Sequence, residues 1–127
     1  MITIARVHGF ITSLTFTVTV ETVVLFVLVR FLLKVRKLKT RKIIFAGIFA
    51  SFATLPYVGF VFLPMFPGHK TAALVGAEFF ALIVEALFYR EFLQLNMKRS
   101  LLVSLVCNAS SYALGYFLYY HGIWFFW

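Results

Sequence analysis

Four long apolar segments joined by short polar connections make up almost the whole chain. They cover residues 9–33, 43–63, 71–90 and 100–120. Each is close to or longer than the ~20 residues with which a helix crosses a ~30 Å hydrocarbon core. A composition of 63% hydrophobic and 13% charged residues excludes an ordinary soluble domain. We therefore predict an all-α, polytopic integral membrane protein whose residues 1–127 form one domain of four transmembrane helices with short loops.

The basic residues are concentrated on one side of the predicted helices. Seven of the twelve lie within residues 30–42 and three within residues 90–99, whereas Arg6 and Lys70 lie on the other side. The positive-inside rule then places residues 34–42 and 91–99 in the cytoplasm and both termini outside a cell membrane. We expect residues 30–42 to meet anionic lipid headgroups, and we predict no nucleic-acid partner.

Three of the four acidic residues, Glu21, Glu78 and Glu85, lie inside apolar segments, and the chain has no Asp. A carboxylate at membrane depth is costly unless something compensates for its charge. Protonation, a bound cation, a water-filled cavity or a hydrogen-bond donor such as Asn108 would do so. All of these arrangements also occur in transport proteins, whereas a neutral Glu can equally join helices by a simple hydrogen bond.

Helical spacing predicts two polar faces. Steps of three, four and seven residues return to one side of a helix, so residues of the third segment share a face with its two carboxyls. The members of that face are Thr71, Glu78, Ala81, Leu82, Glu85 and Tyr89. The face of the fourth segment consists of Ser104, Asn108, Ser111, Tyr112, Gly115 and Tyr119. Lipid offers such groups no partner, so we expect both faces to point into the bundle.

Depth along the helices predicts which polar residues meet. At about 1.5 Å per residue, Glu21 and Glu78 reach the level of Tyr112 in a central layer. By the same count, Glu85 reaches the level of Asn108 and Ser104 in a layer nearer the cytoplasm. Together with Ser111, these residues are our predicted ion, proton or ligand-binding site.

The second segment is predicted to be a packing helix with one irregularity. Gly47, Ala50, Ser51 and Thr54 form a face of small residues that admits a close neighbour. Pro56 lacks an N–H and frees a backbone carbonyl one turn earlier, which predicts a kink and a hinge there.

The remaining signals are weaker. His8, His69 and His121 are predicted at the outer helix ends, but none has the spacing of a helical metal site, so they are weak metal candidates and no metal site is predicted. The sequence identifies no cofactor, and the motifs of common enzyme classes are absent, which disfavours an intramembrane enzyme. The aromatic tail is predicted to anchor the chain at the membrane interface: Tyr119, Tyr120, Trp124, Phe125, Phe126 and Trp127.

A short chain with four helices and Glu21 in the first also resembles the small multidrug resistance transporters. That resemblance implies exchange of protons for substrate at Glu21, the one residue that carries over. The pair Glu78 and Glu85 in the third helix departs from that family, as do the residues around Glu21 and the strong charge asymmetry. We therefore do not infer membership of the family.

Two classes of function remain from the sequence. The first is an ion-coupled or proton-coupled transporter or channel, expected to be a homo-oligomer because four helices enclose little space. The second is an accessory or assembly subunit of a larger membrane complex, in which the same polar groups contact other membrane subunits.

Overall fold

A computed structural model describes residues 3–123 of the chain, so the last four aromatic residues of the predicted anchor lie outside the described part. Helix α1 spans Ile4–Val27 and continues as a π-helical stretch, Leu28–Leu32. Helix α2 spans Thr40–Tyr57 and continues as a second π-helical stretch, Val58–Phe62. A single turn, α3 (Leu63–Met65), leads to α4 (Lys70–Leu93) and α5 (Met97–Tyr120). Among the described residues, α1, α2, α4 and α5 are long and apolar enough to cross a membrane.

The four long helices form a square bundle. Helix α1 packs against α2 and α5, and α4 packs against the same two neighbours, so α1 and α4 lie on one diagonal. Large apolar side chains cover the outside, as expected for a surface that faces lipid: Phe31, Phe49, Phe79, Leu102, Leu105 and Phe117 are each more than half exposed. The architecture is that of a multi-pass membrane protein.

The helix ends differ from the predicted ones by up to five residues. Helix α1 begins at Ile4 rather than near residue 9, because Thr3 caps it by accepting a hydrogen bond from the Arg6 N–H at 3.3 Å. Helix α5 begins at Met97 rather than near residue 100, because Asn96 Oδ1 accepts from the Arg99 N–H at 2.8 Å. Capping residues sit outside the apolar pattern, so hydropathy alone places helix starts too late.

Pro56 lies inside α2, and the helix passes through it. The π-helical stretch begins two residues later, at Val58. A π-helical turn widens the backbone where a hydrogen-bond pattern is interrupted, and such turns are frequent at functional sites. The irregularity predicted from the proline thus takes the form of a change in helix type.

Arg30, near the end of the first span, holds the α1–α2 connection in place. Its Nη1 donates to the carbonyl oxygens of Val35 and Arg36, both at 3.2 Å. Its Nη2 donates to the Leu38 carbonyl and, at 3.3 Å, to Thr40 Oγ1. One guanidinium therefore satisfies three backbone acceptors in a connection without regular structure.

Replacing Arg30 with Gln should loosen this connection. Hydrogen bonds from a charged donor contribute about 1.5–3 kcal/mol, so losing them should speed amide exchange in residues 33–39 by roughly tenfold or more. Hydrogen–deuterium exchange measured by mass spectrometry would test this. Lys37→Gln removes a positive charge from the same connection at an exposed position and is the matched control. Equal exchange in the two variants would contradict the role given to Arg30.

Candidate functional site

Glu21 is buried in the middle third of α1 and its continuation, and both of its carboxyl oxygens accept hydrogen bonds. Ser51 Oγ of α2 donates to Oε2 at 2.7 Å, and Ser111 Oγ of α5 donates to Oε1 at 2.9 Å. The side chain is 2% exposed. Glu21 therefore joins three of the four helices through neutral donors.

Glu85 occupies the corresponding place on the opposite side of the bundle. Thr54 Oγ1 of α2 donates to its Oε1 at 2.9 Å, and Asn108 Nδ2 of α5 donates to its Oε2 at 2.6 Å. Asn108 is held in turn by a bond from Nδ2 to the Ser104 carbonyl at 2.9 Å. Ser104 Oγ donates to the Leu82 carbonyl at 2.8 Å, which ties α5 to α4.

No basic side chain of residues 3–123 forms an ion pair with either carboxyl. The ion pair found there joins exposed Arg90 to exposed Glu91 at 3.8 Å, near the end of α4. Glu21 and Glu85 are thus held in an apolar bundle by hydroxyl and amide donors alone.

Each hydroxyl partner also has a second acceptor on its own helix. Ser51 Oγ lies 3.0 Å from the Gly47 carbonyl, and Ser111 Oγ lies 3.1 Å from the Asn108 carbonyl. Thr54 Oγ1 lies 3.2 Å from the Ala50 carbonyl and 3.3 Å from the Ser51 carbonyl. A hydroxyl has one hydrogen to donate and lone pairs that accept. It can therefore donate to an ionised carboxylate, or donate to a carbonyl of its own helix and accept a hydrogen bond from the O–H of a neutral carboxyl.

The two hairpins of the bundle repeat each other. The buried positions of α1 and its continuation recur in α4 at a constant offset of 64 residues, at which Glu21 corresponds to Glu85. The matching pairs are Gly9 with Ala73, Ser13 with Ala77, Glu21 with Glu85, Leu25 with Tyr89, and Val29 with Leu93. Each hairpin thus contributes one buried carboxyl at the same depth.

The second helices of the hairpins match in the same way, at an offset of 57 residues. Ser51 corresponds to Asn108, and both donate to the carbonyl four residues earlier. Thr54 corresponds to Ser111, and both approach the carbonyl three residues earlier. Among the remaining buried positions, Ile43, Ala46, Gly47 and Ala50 match Ser100, Val103, Ser104 and Cys107. The bundle is therefore built from two similar helical hairpins, with the carboxyl pair between them.

A cavity of about 340 Å³ lies between the carboxyl pair and the end of the bundle at which α4 begins and α5 ends. All four long helices line it. Glu21, Glu85 and Asn108 line one end of it, whereas Lys70, the first residue of α4, and Tyr119, near the end of α5, line the other. The opposite half of the bundle is closed by a packed core of Leu25, Val29, Ile43, Tyr89, Leu93 and Val103. Within residues 3–123, the cavity therefore extends from the carboxyls toward the end of the bundle at which Lys70 and Tyr119 lie.

Glu78 and Tyr112 line this cavity without joining the hydrogen-bonded pair. Glu21, Glu78 and Tyr112, which we predicted to share one layer, all line the cavity. The hydrogen bonds of Glu21 come from Ser51 and Ser111. Side-chain direction decides such contacts, and the depth estimate did not consider it. Glu85 and Asn108, predicted for one layer, do meet.

Sequence reasoning missed Ser51 and Thr54 as partners of the carboxyls and treated them as small packing residues. A hydroxyl on the inward face of a membrane helix needs a partner, and that requirement could have identified them. The predicted packing face itself exists, since Gly47, Ala50, Ser51 and Thr54 are all buried.

The three histidines lie at or near the ends of the long helices. His8 is in the second turn of α1, His69 precedes α4, and His121 follows α5 with its Nδ1 2.9 Å from the Phe117 carbonyl. Within residues 3–123, no three His, Cys, Asp or Glu side chains are grouped so that they could hold a metal ion.

Comparison of the chain with protein-family models, curated proteins and solved structures finds no match, so its function has to be argued from this site.

Proposed function

We propose that this protein is a small proton-coupled or cation-coupled membrane transporter, and that Glu21 and Glu85 carry the proton or cation. The observation that carries the proposal is the set of alternative hydrogen bonds around the carboxyl pair. Turning the Ser51, Thr54 and Ser111 hydroxyls suits the site to a charged or a neutral carboxyl without moving any helix. A purely structural contact does not need this property.

The repeated hairpins support the same proposal. Many transporters are built from structural repeats, bind their substrate near the middle of the membrane between the repeats, and work by rocking one repeat against the other. Here the carboxyl pair lies between the hairpins, at one end of a cavity that extends toward Lys70 and Tyr119. The π-helical stretch that follows Pro56 borders the cavity at Val58, and Pro56 with this stretch is the proposed hinge.

The site is tested by measuring flux. Purified protein is placed in liposomes. Proton flux is followed with an internal pH-sensitive dye while valinomycin imposes a potassium diffusion potential. Na⁺ and K⁺ fluxes are followed in separate liposomes without valinomycin, by uptake of radioactive Na⁺ and Rb⁺. We expect proton or monovalent-cation flux above that of protein-free liposomes. A correctly folded preparation that moves neither protons, Na⁺ nor K⁺ in either direction would overturn the proposal.

Orientation is part of the proposal. The basic connections, residues 34–42 and 91–99, are assigned to the cytoplasmic side of the cell membrane. The end of the cavity lined by Lys70 and Tyr119 then faces the outside of the cell. A cysteine introduced at Lys37 in a Cys107→Ser background should then resist a membrane-impermeant maleimide added to intact cells. A cysteine introduced at His69 should react. The reverse pattern would invert the assigned topology.

An accessory subunit remains the alternative, but its contacts would have to lie elsewhere. Glu21 and Glu85 are 2% and 1% exposed and already bonded within the chain, so neither is available to a partner's helix. Homo-oligomerisation is compatible with the transporter proposal, and native mass spectrometry of the purified protein would report it.

A further inference from the structure

The cavity above the carboxyl pair has the chemistry of a binding site in its own right. Its walls carry four aromatic rings, from Phe16 on α1 and from Tyr112, Tyr116 and Tyr119 on α5. Aliphatic side chains of α2 and α4 complete them: Leu55, Val58 and Leu74. Apolar walls with a few convergent polar groups are the usual form of a small-molecule site.

Glu78 is the third carboxyl that lines this cavity. It is half-buried, and within residues 3–123 no side chain donates a hydrogen bond to it or pairs with it. At the offset that relates α1 to α4, its counterpart is Leu14. Glu78 therefore departs from the repeat that produces Glu21 and Glu85, which suggests a separate role.

The charges of the cavity favour a cation over an anion. Three carboxyl groups, those of Glu21, Glu78 and Glu85, line it together with one ammonium group, that of Lys70. Lys70 precedes Glu78 by eight residues, about 12 Å along the helix, and forms no ion pair with it. The faces of aromatic rings attract cations as well, and the three tyrosines that line the cavity are each more than half exposed.

We propose that the cavity binds an organic ammonium ion, with Glu78 as its counter-ion and the aromatic rings around its apolar body. This names the cargo class of the proposed transporter and so rests on that function. The volume of about 340 Å³ is roughly twice the 150 Å³ that accommodates one benzene molecule. It therefore suits a single ring with a cationic group attached.

Benzyltrimethylammonium is the probe of choice because its charge does not depend on pH. Binding to the purified protein in detergent is measured by equilibrium dialysis of the radiolabelled probe. We expect saturable binding, and binding of the uncharged isostere neopentylbenzene should be at least about tenfold weaker. Equal binding of the two compounds, or no saturable probe binding, would overturn the proposal.

Two carboxyl-to-amide variants locate the site. Glu78→Gln should weaken probe binding by about tenfold or more, because it removes the counter-ion while keeping the side-chain shape. Glu91→Gln makes the same change at an exposed carboxyl outside the cavity and should leave the affinity unchanged. Thermal melting confirms that both variants are folded. Equal affinities of the two variants would remove Glu78 from the site.

The ammonium group could belong to a free amine or to a lipid headgroup. The binding measurement is therefore repeated in nanodiscs of phosphatidylglycerol, with and without phosphatidylethanolamine. If phosphatidylethanolamine leaves probe binding unchanged, the cargo is a free amine. If phosphatidylethanolamine displaces the probe, the ammonium group belongs to a lipid headgroup and the free amine is contradicted. Probe binding without flux would support the binding site and contradict the transport function. Proton flux without probe binding would support the transport function and contradict this cargo.

Discussion

Glu85→Gln should reduce proton or cation flux to the level of protein-free liposomes while the protein still folds. The amide cannot take up or release a proton at physiological pH, and it carries no charge to hold a cation. Its oxygen can still accept from Asn108 Nδ2, and its new NH₂ group can donate to Thr54 Oγ1 once that hydroxyl turns to donate to the Ala50 carbonyl. The change therefore removes the chemistry of the site and keeps its hydrogen bonds.

Three comparisons make this test specific. Glu91→Gln should retain full flux, because Glu91 is exposed and distant from the cavity. Glu21→Gln should fail as Glu85→Gln does, because the two residues are equivalent in the repeated hairpins. Glu85→Ala should lose stability as well, because an unpaired buried polar group costs about 1–3 kcal/mol. If Glu85→Gln retained wild-type flux, the carboxyl would be a structural contact only.

Gly47→Ala should destabilise the bundle by about 1–3 kcal/mol, although alanine is the better helix former. A Cβ at position 47 would lie 2.6 Å from Thr22 Oγ1 and 2.9 Å from Thr22 Cα. Contact with backbone cannot be relieved by turning a side chain, so α1 and α2 would have to separate. The same separation would strain the bond between Ser51 and Glu21. The midpoint of thermal unfolding in detergent measures the effect.

Gly76→Ala is the matched control for this prediction. Gly76 is also within one of the four long apolar helices, but the nearest atoms to its added Cβ belong to the Phe62 ring, at 3.8 Å. That distance is ordinary van der Waals contact, so the unfolding midpoint should stay the same or rise slightly. A similar fall in both variants would mean that glycine matters here for reasons other than the close approach of α1 to α2.

Hydropathy was sufficient to predict the four spans because membrane insertion imposes a length and an apolar composition that are visible in one sequence. Helical spacing also brought Glu85 and Asn108 together, because both lie on inward faces of antiparallel neighbours. These predictions depend on local geometry and on the bilayer, and neither requires knowledge of how the helices are arranged.

Hydropathy and helical spacing could not predict which donors bind which carboxyl. Whether Glu21 meets Ser51 or Tyr112 depends on which helices lie on the diagonal and on how each is rotated, and one sequence does not determine either. The repeat was visible in principle, since Val20 and Glu21 recur as Val84 and Glu85. The repeat is hard to see in the sequence for two reasons. The connections within the two hairpins, residues 33–39 and 94–96, differ in length, and apolar residues replace one another freely.

The pairing of donors and carboxyls has a mechanical consequence. Each carboxyl takes one hydrogen bond from its own hairpin, Ser51 to Glu21 and Asn108 to Glu85, and one from the other hairpin. The two bonds that cross between hairpins come from Thr54 and Ser111, whose hydroxyls have carbonyls of their own helices within reach. Parting the hairpins would break both crossing bonds together. The two donors could turn to carbonyls of their own helices, whereas Glu85 Oε1 and Glu21 Oε1 would each lose a donor. The connection between the halves is thus symmetric, and opening it requires a proton, a cation or water to take the place of the lost donor at each carboxyl.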